Sequence, residues 1–443
     1  MRVKPFPFVF AVLLILKLAG LAQAPDAAHV LQATSERLLD DLKRMPRYTC
    51  VQTITRTYYT SNQFGHPSCS KLIAEHDARK KPLPVQSWDR LRLEVALVEG
   101  GSVYSWVGAP RFTDDTLDKL AGSGPLGSGD FGVFLSGILH HATLNFQGER
   151  TNDGTRLLEY SYEMPVGKSG YRVKVPNGWA TTGYDGTLLL DPETNDLVKL
   201  VVRTNELPSA SLACRATSEV TYRRTPIHQK MVLVPHETKL YTIGTTGAES
   251  MSETSYANCR EYSSTIKMMF GGETITSDPA PASNPNPAPA PVPALPLPAG
   301  LHFSVHITTP IDIVKAAAGD PIEAVLTAPM HDEKKAVVAP AGAHLHGRLR
   351  TVKVWNAAWN TVQIGIQFES IEIDGRNVPV NAISQPVRPL FIPAPYGMRF
   401  ARTDDSFIGG TFFFNDVHIH DKDLDSEWIT VKPDEQQKEK RKK

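Results

Sequence analysis

Residues 184–200, YDGTLLLDPETNDLVKL, carry the pattern that decides the fold. An apolar run from Leu188 to Leu190 meets Asp191, Pro192, Glu193 and Thr194, and Leu197 to Thr204 then runs back as a second apolar segment. Apolar and β-branched residues bounded by Pro, Asp and Asn read as a strand, a turn and a returning strand. The same pattern recurs on both sides. Arg156 to Glu163 and Tyr171 to Val175 precede it, and Glu219 to Arg224, Met231 to Tyr241 and Tyr262 to Phe270 follow. Further out, Tyr48 to Tyr59 is dense in Thr, Val, Ile and Tyr, Leu91, Leu93, Val95 and Leu97 alternate with Arg92 and Glu94, and Val103 to Val107 continues the series. These segments predict a large, mostly antiparallel sheet. One helix is expected ahead of it, from Asp26 to Met45: Ala27, Leu31, Leu38, Leu42 and Met45 share a face, Asp26 can cap the start and Pro46 ends it.

The amino terminus sets the compartment. Arg2 and Lys4 precede an apolar run from Phe6 to Leu21 and the small-residue stretch Ala22-Gln23-Ala24, the order of a secretory signal peptide. Cleavage after Ala22 is expected, because a cut after Ala24 would place Pro25 beside the scissile bond. Lys17 interrupts the run, which is shorter than the ~20 apolar residues of a membrane span. No later stretch is long and apolar enough to cross a bilayer, so the mature chain is expected without a transmembrane span, in the periplasm or secreted. Lysine plus arginine and aspartate plus glutamate both number 47, and removing residues 1–22 takes away bases only. A nearly neutral, slightly acidic chain whose one strong basic cluster is the tail Lys438 to Lys443 argues against a nucleic-acid partner. In an oxidising compartment the four cysteines, Cys50, Cys69, Cys214 and Cys259, are expected to pair. Of three pairings, Cys50 with Cys69 and Cys214 with Cys259 is favoured, since each closes a local loop. No CxxC pair suggests zinc instead.

A second boundary follows from proline. Between Asp278 and Pro298 proline alternates mainly with alanine and asparagine, which makes an extended spacer that cannot donate ladder hydrogen bonds. Beyond it, Leu301 to Ile307, Ile322 to Leu326, Leu345 to Val354, Val362 to Ile373 and Asn377 to Val380 read as short strands of a small β-barrel or sandwich. The expected organisation is a signal peptide (1–22), a β-sheet domain with its helix (23–270), a Pro/Ala-rich linker (271–299), a small β-barrel-like domain (300–432) and a disordered basic tail (433–443).

The stretch Gly122 to Gly129 precedes Asp130 and the apolar run Phe131 to Leu139. It lacks the Gly-Lys-Ser or Gly-Lys-Thr ending of a phosphate loop and reads as a flexible hinge before a capped helix. Phe131, Phe134, Leu135, Ile138 and Leu139 are the candidate lining of an apolar cavity under that hinge, against the plainer alternative of a core helix. His140 and His141 would be its polar end.

Several segments resemble known families. Ser128-Gly129-Asp130-Phe131-Gly132, Tyr160-Ser161-Tyr162, Tyr184-Asp185-Gly186 and the strand-turn-strand through Leu200 resemble a group of uncharacterised exported bacterial envelope proteins. The last piece is also similar to periplasmic lipoprotein carriers and outer-membrane lipoprotein sorting proteins. That resemblance implies an open, curved antiparallel β-sheet, half-barrel-like, with helices in its concave face. The whole is then mainly β with a few helices. Leu297 to Asn381 resembles in rhythm the β-barrel domain of VirB10/TrbI-type secretion scaffolds, through Pro298-Ala299-Gly300, Ala318-Gly319-Asp320-Pro321 and Pro340-Ala341-Gly342.

Catalytic signatures are missing from the sequence: there is no Gly-x-Ser-x-Gly elbow and no His-Glu-x-x-His helix. His344 with His346, and His418 with His420, are spaced so that on a strand both rings share a face, and Asp416, Asp421 and Asp423 lie near the second pair. A metal site needs three or four convergent ligands, so no metal and no cofactor is assigned. The expected function is a non-catalytic periplasmic or secreted carrier for an apolar or lipid-like ligand. The alternatives are an envelope scaffold that engages a protein partner through its carboxy-terminal β-domain, and a metal-dependent enzyme that uses His418 and His420.

Overall fold

Helix α1 (Ala27–Lys43) is amphipathic, and its most buried residues are Val30, Thr34 and Leu38, of which Leu38 is on the line read off the sequence, with Ala27 and Leu31 of that line partly buried beside them. This computed structural model describes residues 27–61, 65, 67–98, 101–109, 112, 117–121, 124, 131–152, 154–204, 207–261, 269–270, 273–274, 296–356, 360–385, 391–394, 397–400, 407–420 and 424–432. The expected signal peptide, the Asp26 cap, the stretch Tyr262 to Lys267, nearly all of the linker and the basic tail lie outside these residues. No helix among them is long and apolar enough to cross a membrane.

From α1 the chain enters β1 (Tyr48–Tyr59), α2 (Cys69–Ala78), β2 (Val85–Val98), β3 (Gly101–Trp106), α3 (Leu117–Ala121) and α4 (Phe131–His141). It continues as β4 (Thr143–Asn152), β5 (Thr155–Met164), β6 (Arg172–Val175), β7 (Gly178–Thr181), β8 (Tyr184–Asp191), β9 (Asp196–Thr204), β10 (Ala213–Ile227), β11 (Lys230–Gly244) and β12 (Glu249–Glu261). The antiparallel order is β4-β5-β8-β9-β10-β11-β12-β1-β2-β3. β6 and β7 form a hairpin of their own outside this ladder. The sheet is open: no pairing among the described residues joins β3 to β4.

Register keeps one face continuous, because side chains opposite one another across a ladder share a side. Tyr160 faces Leu188, Leu188 faces Leu200, Leu200 faces Val220, Val220 faces Thr238, and Thr238 faces Thr254. Thr254 in turn stands opposite Ile54, and Ile54 opposite Leu91. This inner face bears the helices. α1 lies against β8 and β9, α4 against α1 and β5, and α3 against β3. Two apolar cores result, one from α1, α4, β5, β8, β9 and β10, the other centred on β1, β2 and β3 with α3.

After the short hairpin β13 (Met269–Phe270) and β14 (Glu273–Thr274), the second unit contains β15 (His302–Ile307), β16 (Pro321–Leu326), β17 (Met330–His331), β18 (Val337–Ala339), β19 (His344–Asn356) and β20 (Asn360–Ile373). It ends with β21 (Arg376–Pro379), β22 (Ala382–Ser384), β23 (Phe391–Ala394), β24 (Gly397–Phe400), β25 (Gly410–Phe414) and β26 (Asp425–Thr430). Pairings run β22-β26-β15-β16-β19-β20, and β20 pairs with β21, from which the chain passes directly into β22. That path is barrel-like, and its interior is filled around fully buried Trp428, Phe368 and Leu345. Leu297 already belongs to this unit, since its N–H donates to the Pro379 carbonyl at 3.1 Å, while Thr430 donates to the Pro298 carbonyl at 2.7 Å.

The two units are joined by more than the linker. The part of β2 left free by β3 pairs with β19, Asp89 opposite Lys353 and Ser87 opposite Trp355. Arg92 N–H donates to the Ala318 carbonyl at 2.7 Å, and Ala318 N–H to that of Arg90 at 2.8 Å. The buried guanidinium of Arg348 donates to the carbonyls of Val107 and Gly319, both at 3.0 Å, and pairs with Glu369 at 2.7 Å. Arg92 pairs with Asp320.

The disulfide pairing differs from the local one. Cys50 is bonded to Cys259 and Cys69 to Cys214, spanning 209 and 145 residues. The reason is the length of the strands. β1 carries the chain about 30 Å from Cys50 to Tyr59, and Cys69 then opens α2, which packs against β10, the strand that holds Cys214. β12 lies beside β1, which brings Cys259 to Cys50.

Candidate functional site

The inner face changes chemistry from one side to the other. Over β5, β8 and β9 it is apolar and aromatic: Tyr160, Tyr162, Met164, Tyr184, Leu188 and Leu200 are all buried there. Gly186 has a specific part in this, because a Cβ at that position would run into the Val201 carbonyl oxygen. The gap lets the Tyr162 hydroxyl cross over Gly186 and donate to Val201 at 2.8 Å. Burial pushes the Tyr184 hydroxyl up to about 12, so it stays neutral at any physiological pH.

Helix α4 lies on this apolar floor. Leu135 and Ile138 are buried in it, and Phe134 stacks on Tyr184 with ring centroids 4.8 Å apart and meets Tyr171 edge-on at 5.6 Å. Leu139 packs at the margin of the same cluster. Phe131 opens the helix, and its side chain lies outside the described residues. The four described positions thus converge on one surface, as parts of a single apolar cluster. His140 and His141 are at the exposed end of the helix; His140 Nδ1 is 2.7 Å from the Ser136 carbonyl.

Toward β11, β12 and β1 the inner face becomes polar while remaining buried. Thr238, Ser252, Thr254 and Gln52 are each at most 2 % exposed. The hydroxyls of Ser252 and Thr254, and that of Thr34 on the buried line of α1, have no hydrogen-bond partner among the described residues. A buried hydroxyl left unpaired costs about 1–3 kcal/mol, so the pair on β12, Ser252 and Thr254, marks a place suited to water or to a polar group of a ligand. Beside them a void of about 10 Å³, room for about one water, is lined by Tyr48, Gln52, Val95, Ser102, Pro235 and Tyr256, with Cys50 of the disulfide. Sequence reading missed this row, because Ser250, Ser252 and Thr254 lack the apolar alternation that marks a half-buried strand.

At the lower margin Arg56 and Asp89 form a buried ion pair, Nε to Oδ1 at 2.6 Å, and Arg56 also donates to the Ala121 carbonyl at 2.9 Å. Gly124 rests on the same group, so near to Arg56 and the Tyr58 hydroxyl that a Cβ would collide with both. The start of the glycine-rich segment is therefore pinned to β1; Gly122, Ser123 and residues 125–130 lie outside the described residues.

A separate cleft of about 660 Å³ opens in the second unit, lined by Phe412, Phe413 and Phe414 of β25, Asp425, Ser426 and Glu427 of β26, and Ser304, Val305, Thr327 and Gln385. It lies where β25, paired with β20, diverges from β26. The histidine pairs give no metal centre among the described residues, where no group of three or more His, Cys, Asp or Glu converges. His344 and His346 do lie on a strand, β19, with His346 3.9 Å from Glu323. His418 and His420 lie in the irregular chain after β25, not on a strand, and His418 Nδ1 is 3.2 Å from Asp416. Asp421 and Asp423 lie outside the described residues.

No protein-family model and no curated protein matches the chain. Among solved structures it is similar to a domain assigned to an outer membrane lipoprotein-sorting protein from Vibrio parahaemolyticus, at 13 % identity over 53 % of this chain and 95 % of that one, with a TM-score of 0.26. A DUF1329 family protein from Desulfovibrio piger matches at 8 % identity over 54 % of this chain and 95 % of its own, TM-score 0.26. A LolA superfamily protein from Nitrosomonas europaea matches at 9 % identity over 52 % and 94 %, TM-score 0.24. At these scores the likeness carries no argument about activity. The VirB10/TrbI-type resemblance of residues 297–381 finds no support in these matches.

Proposed function

We propose that the chain is a non-catalytic carrier, exported to the periplasm or beyond, that holds an apolar or lipid-like ligand on the inner face of its sheet. The observation that carries this reading is the two-part inner face: an apolar floor covered by one helix, α4, and beyond it buried hydroxyls of β12 that lack partners among the described residues. An amphiphile needs both parts, an apolar surface for its chain and hydrogen-bond partners for its head. α4 takes the place such a chain would occupy, with Phe134, Leu135 and Ile138 as the displaceable contacts. The two disulfides and the signal-like amino terminus fit export.

Native mass spectrometry of the full chain produced in the periplasm, with lipid extraction of the same sample, tests the reading. A bound amphiphile is the expected result. Leu135→Ala combined with Ile138→Ala opens space under α4 and should raise uptake of a naphthylamine dye that brightens in apolar surroundings. A clean apo mass, together with no dye uptake by a natively folded double variant, would remove the carrier.

A second reading, an envelope scaffold acting through the carboxy-terminal unit, is favoured by one observation: the larger described cleft lies there, between β25 and β26. Thr327→Trp should block that cleft. Under the scaffold reading the change abolishes cross-linking to an envelope protein and leaves ligand uptake by the first unit intact.

A further inference from the structure

The hairpin β6–β7 stands apart from the ladder and is chemically one-sided. Between Glu163 and Asp185 the chain has no acidic residue and three basic ones, Lys168, Arg172 and Lys174, all exposed. The same segment exposes Trp179 at 59 % and Val166 at 40 % of their surfaces, unusual for an indole in a protein with this much buried surface. The Arg172 guanidinium lies 6.0 Å from the centre of the Trp179 ring, so charge and aromatic surface form one patch. β6 packs against the turn Ser209–Ser211, and the next residue, Leu212, is 69 % exposed in a left-handed backbone conformation. That conformation is costly for a branched apolar residue, and it holds the side chain outward beside the hairpin.

We propose that this hairpin docks on a membrane surface rich in anionic phospholipid. Cations that meet phosphate headgroups, with an indole and two aliphatic side chains at the level of the acyl boundary, are the composition that stabilises a protein at a bilayer interface. The absence of any carboxylate in the segment removes the repulsion that would oppose approach. An acidic protein or polymer would satisfy the cations but would leave Trp179 and Leu212 without an apolar phase. The inference is independent of the carrier reading, which concerns the inner face of the sheet.

The full chain titrated with vesicles of phosphatidylcholine alone, or of equal parts phosphatidylcholine and phosphatidylglycerol, tests it. Binding is expected to the anionic vesicles only, to fall with added salt, and to bring a blue shift in emission that Trp179→Ala removes. Each cation contributes about fivefold to partitioning, so Lys168→Gln with Arg172→Gln and Lys174→Gln should lower it by about a hundredfold. These positions are exposed, and an unchanged melting curve confirms that the triple variant is folded. Three results would overturn the proposal: no binding to anionic vesicles; equal binding to soluble polyglutamate with no dependence on Trp179; or binding that survives the triple variant and disappears when Lys438, Lys440, Arg441, Lys442 and Lys443 are replaced. The last would place the contact on the terminal tail.

Discussion

At Glu249 a single carboxylate ties one end of the sheet together. It is 4 % exposed at the start of β12, accepts from Arg79 at 2.8 Å and from the Tyr241 hydroxyl, and lies 3.2 Å from His76 Nδ1. Burial opposes its charge, but Arg79, Tyr241 and His76 together hold its carboxyl below the usual carboxylate range. A lowered folded value means that the stabilisation is complete above the unfolded pKa of about 4.3 and is lost as pH falls through the folded value. Glu249→Gln should therefore lower stability at neutral pH and flatten the acid limb of a melting-temperature profile; an acid limb identical to that of the parent would show that the cluster does not anchor α2. Gly186→Ala acts by sterics instead. Its new methyl must displace the Val201 carbonyl between β8 and β9, so a loss of more than ~2 kcal/mol in denaturant titration is expected. Nothing in the sequence around Glu249 announced this role, because its partners His76, Arg79 and Tyr241 come from α2 and β11 and meet only in the folded chain.

Among the elements, those that alternate strictly were legible and those that do not were missed. β1 shows in the sequence through its Thr, Val, Ile and Tyr content, and β5, β9, most of β11 and parts of β2, β8 and β10 show through their apolar and β-branched runs. β12 does not. Its inner positions are Ser250, Ser252, Thr254 and Tyr256, so hydroxyls stand where the strand signal would be, and the element hardest to read supplies the polar half of the candidate site. β4 was missed for the opposite reason, since it is an edge with both sides largely exposed. The disulfide pairing could not be read locally, because it depends on the placement of β12 beside β1. Removing Cys50–Cys259 as the paired serine variant should cost about 2–5 kcal/mol, measured by denaturant unfolding. The same change at Cys69–Cys214 should release α2 and raise amide exchange over 69–78; unchanged protection there would mean that the Glu249 cluster holds the helix unaided.

On the scale of the whole molecule, the proline-rich spacer reads as a boundary between two β-domains, and β2 of the first pairs with β19 of the second. Gly319 is central to that joint: its φ of +106° and its approach to the Arg92 carbonyl both exclude a side chain. Gly319→Ala should split a single calorimetric transition into two, one per unit, whereas one unchanged transition would place the coupling elsewhere. The position of β1 has a further consequence for how the chain is made. β1 is threaded between β2 and β12, so the first strand to appear keeps one flank bare until residue 261 has been delivered. Under the export proposed above, that flank stays bare until β12 has crossed the membrane as well. A first strand that pairs last leaves its backbone donors and acceptors open to other chains in the meantime, so an excess of a peptide copying β12 should trap the refolding chain, which gel filtration during refolding would show.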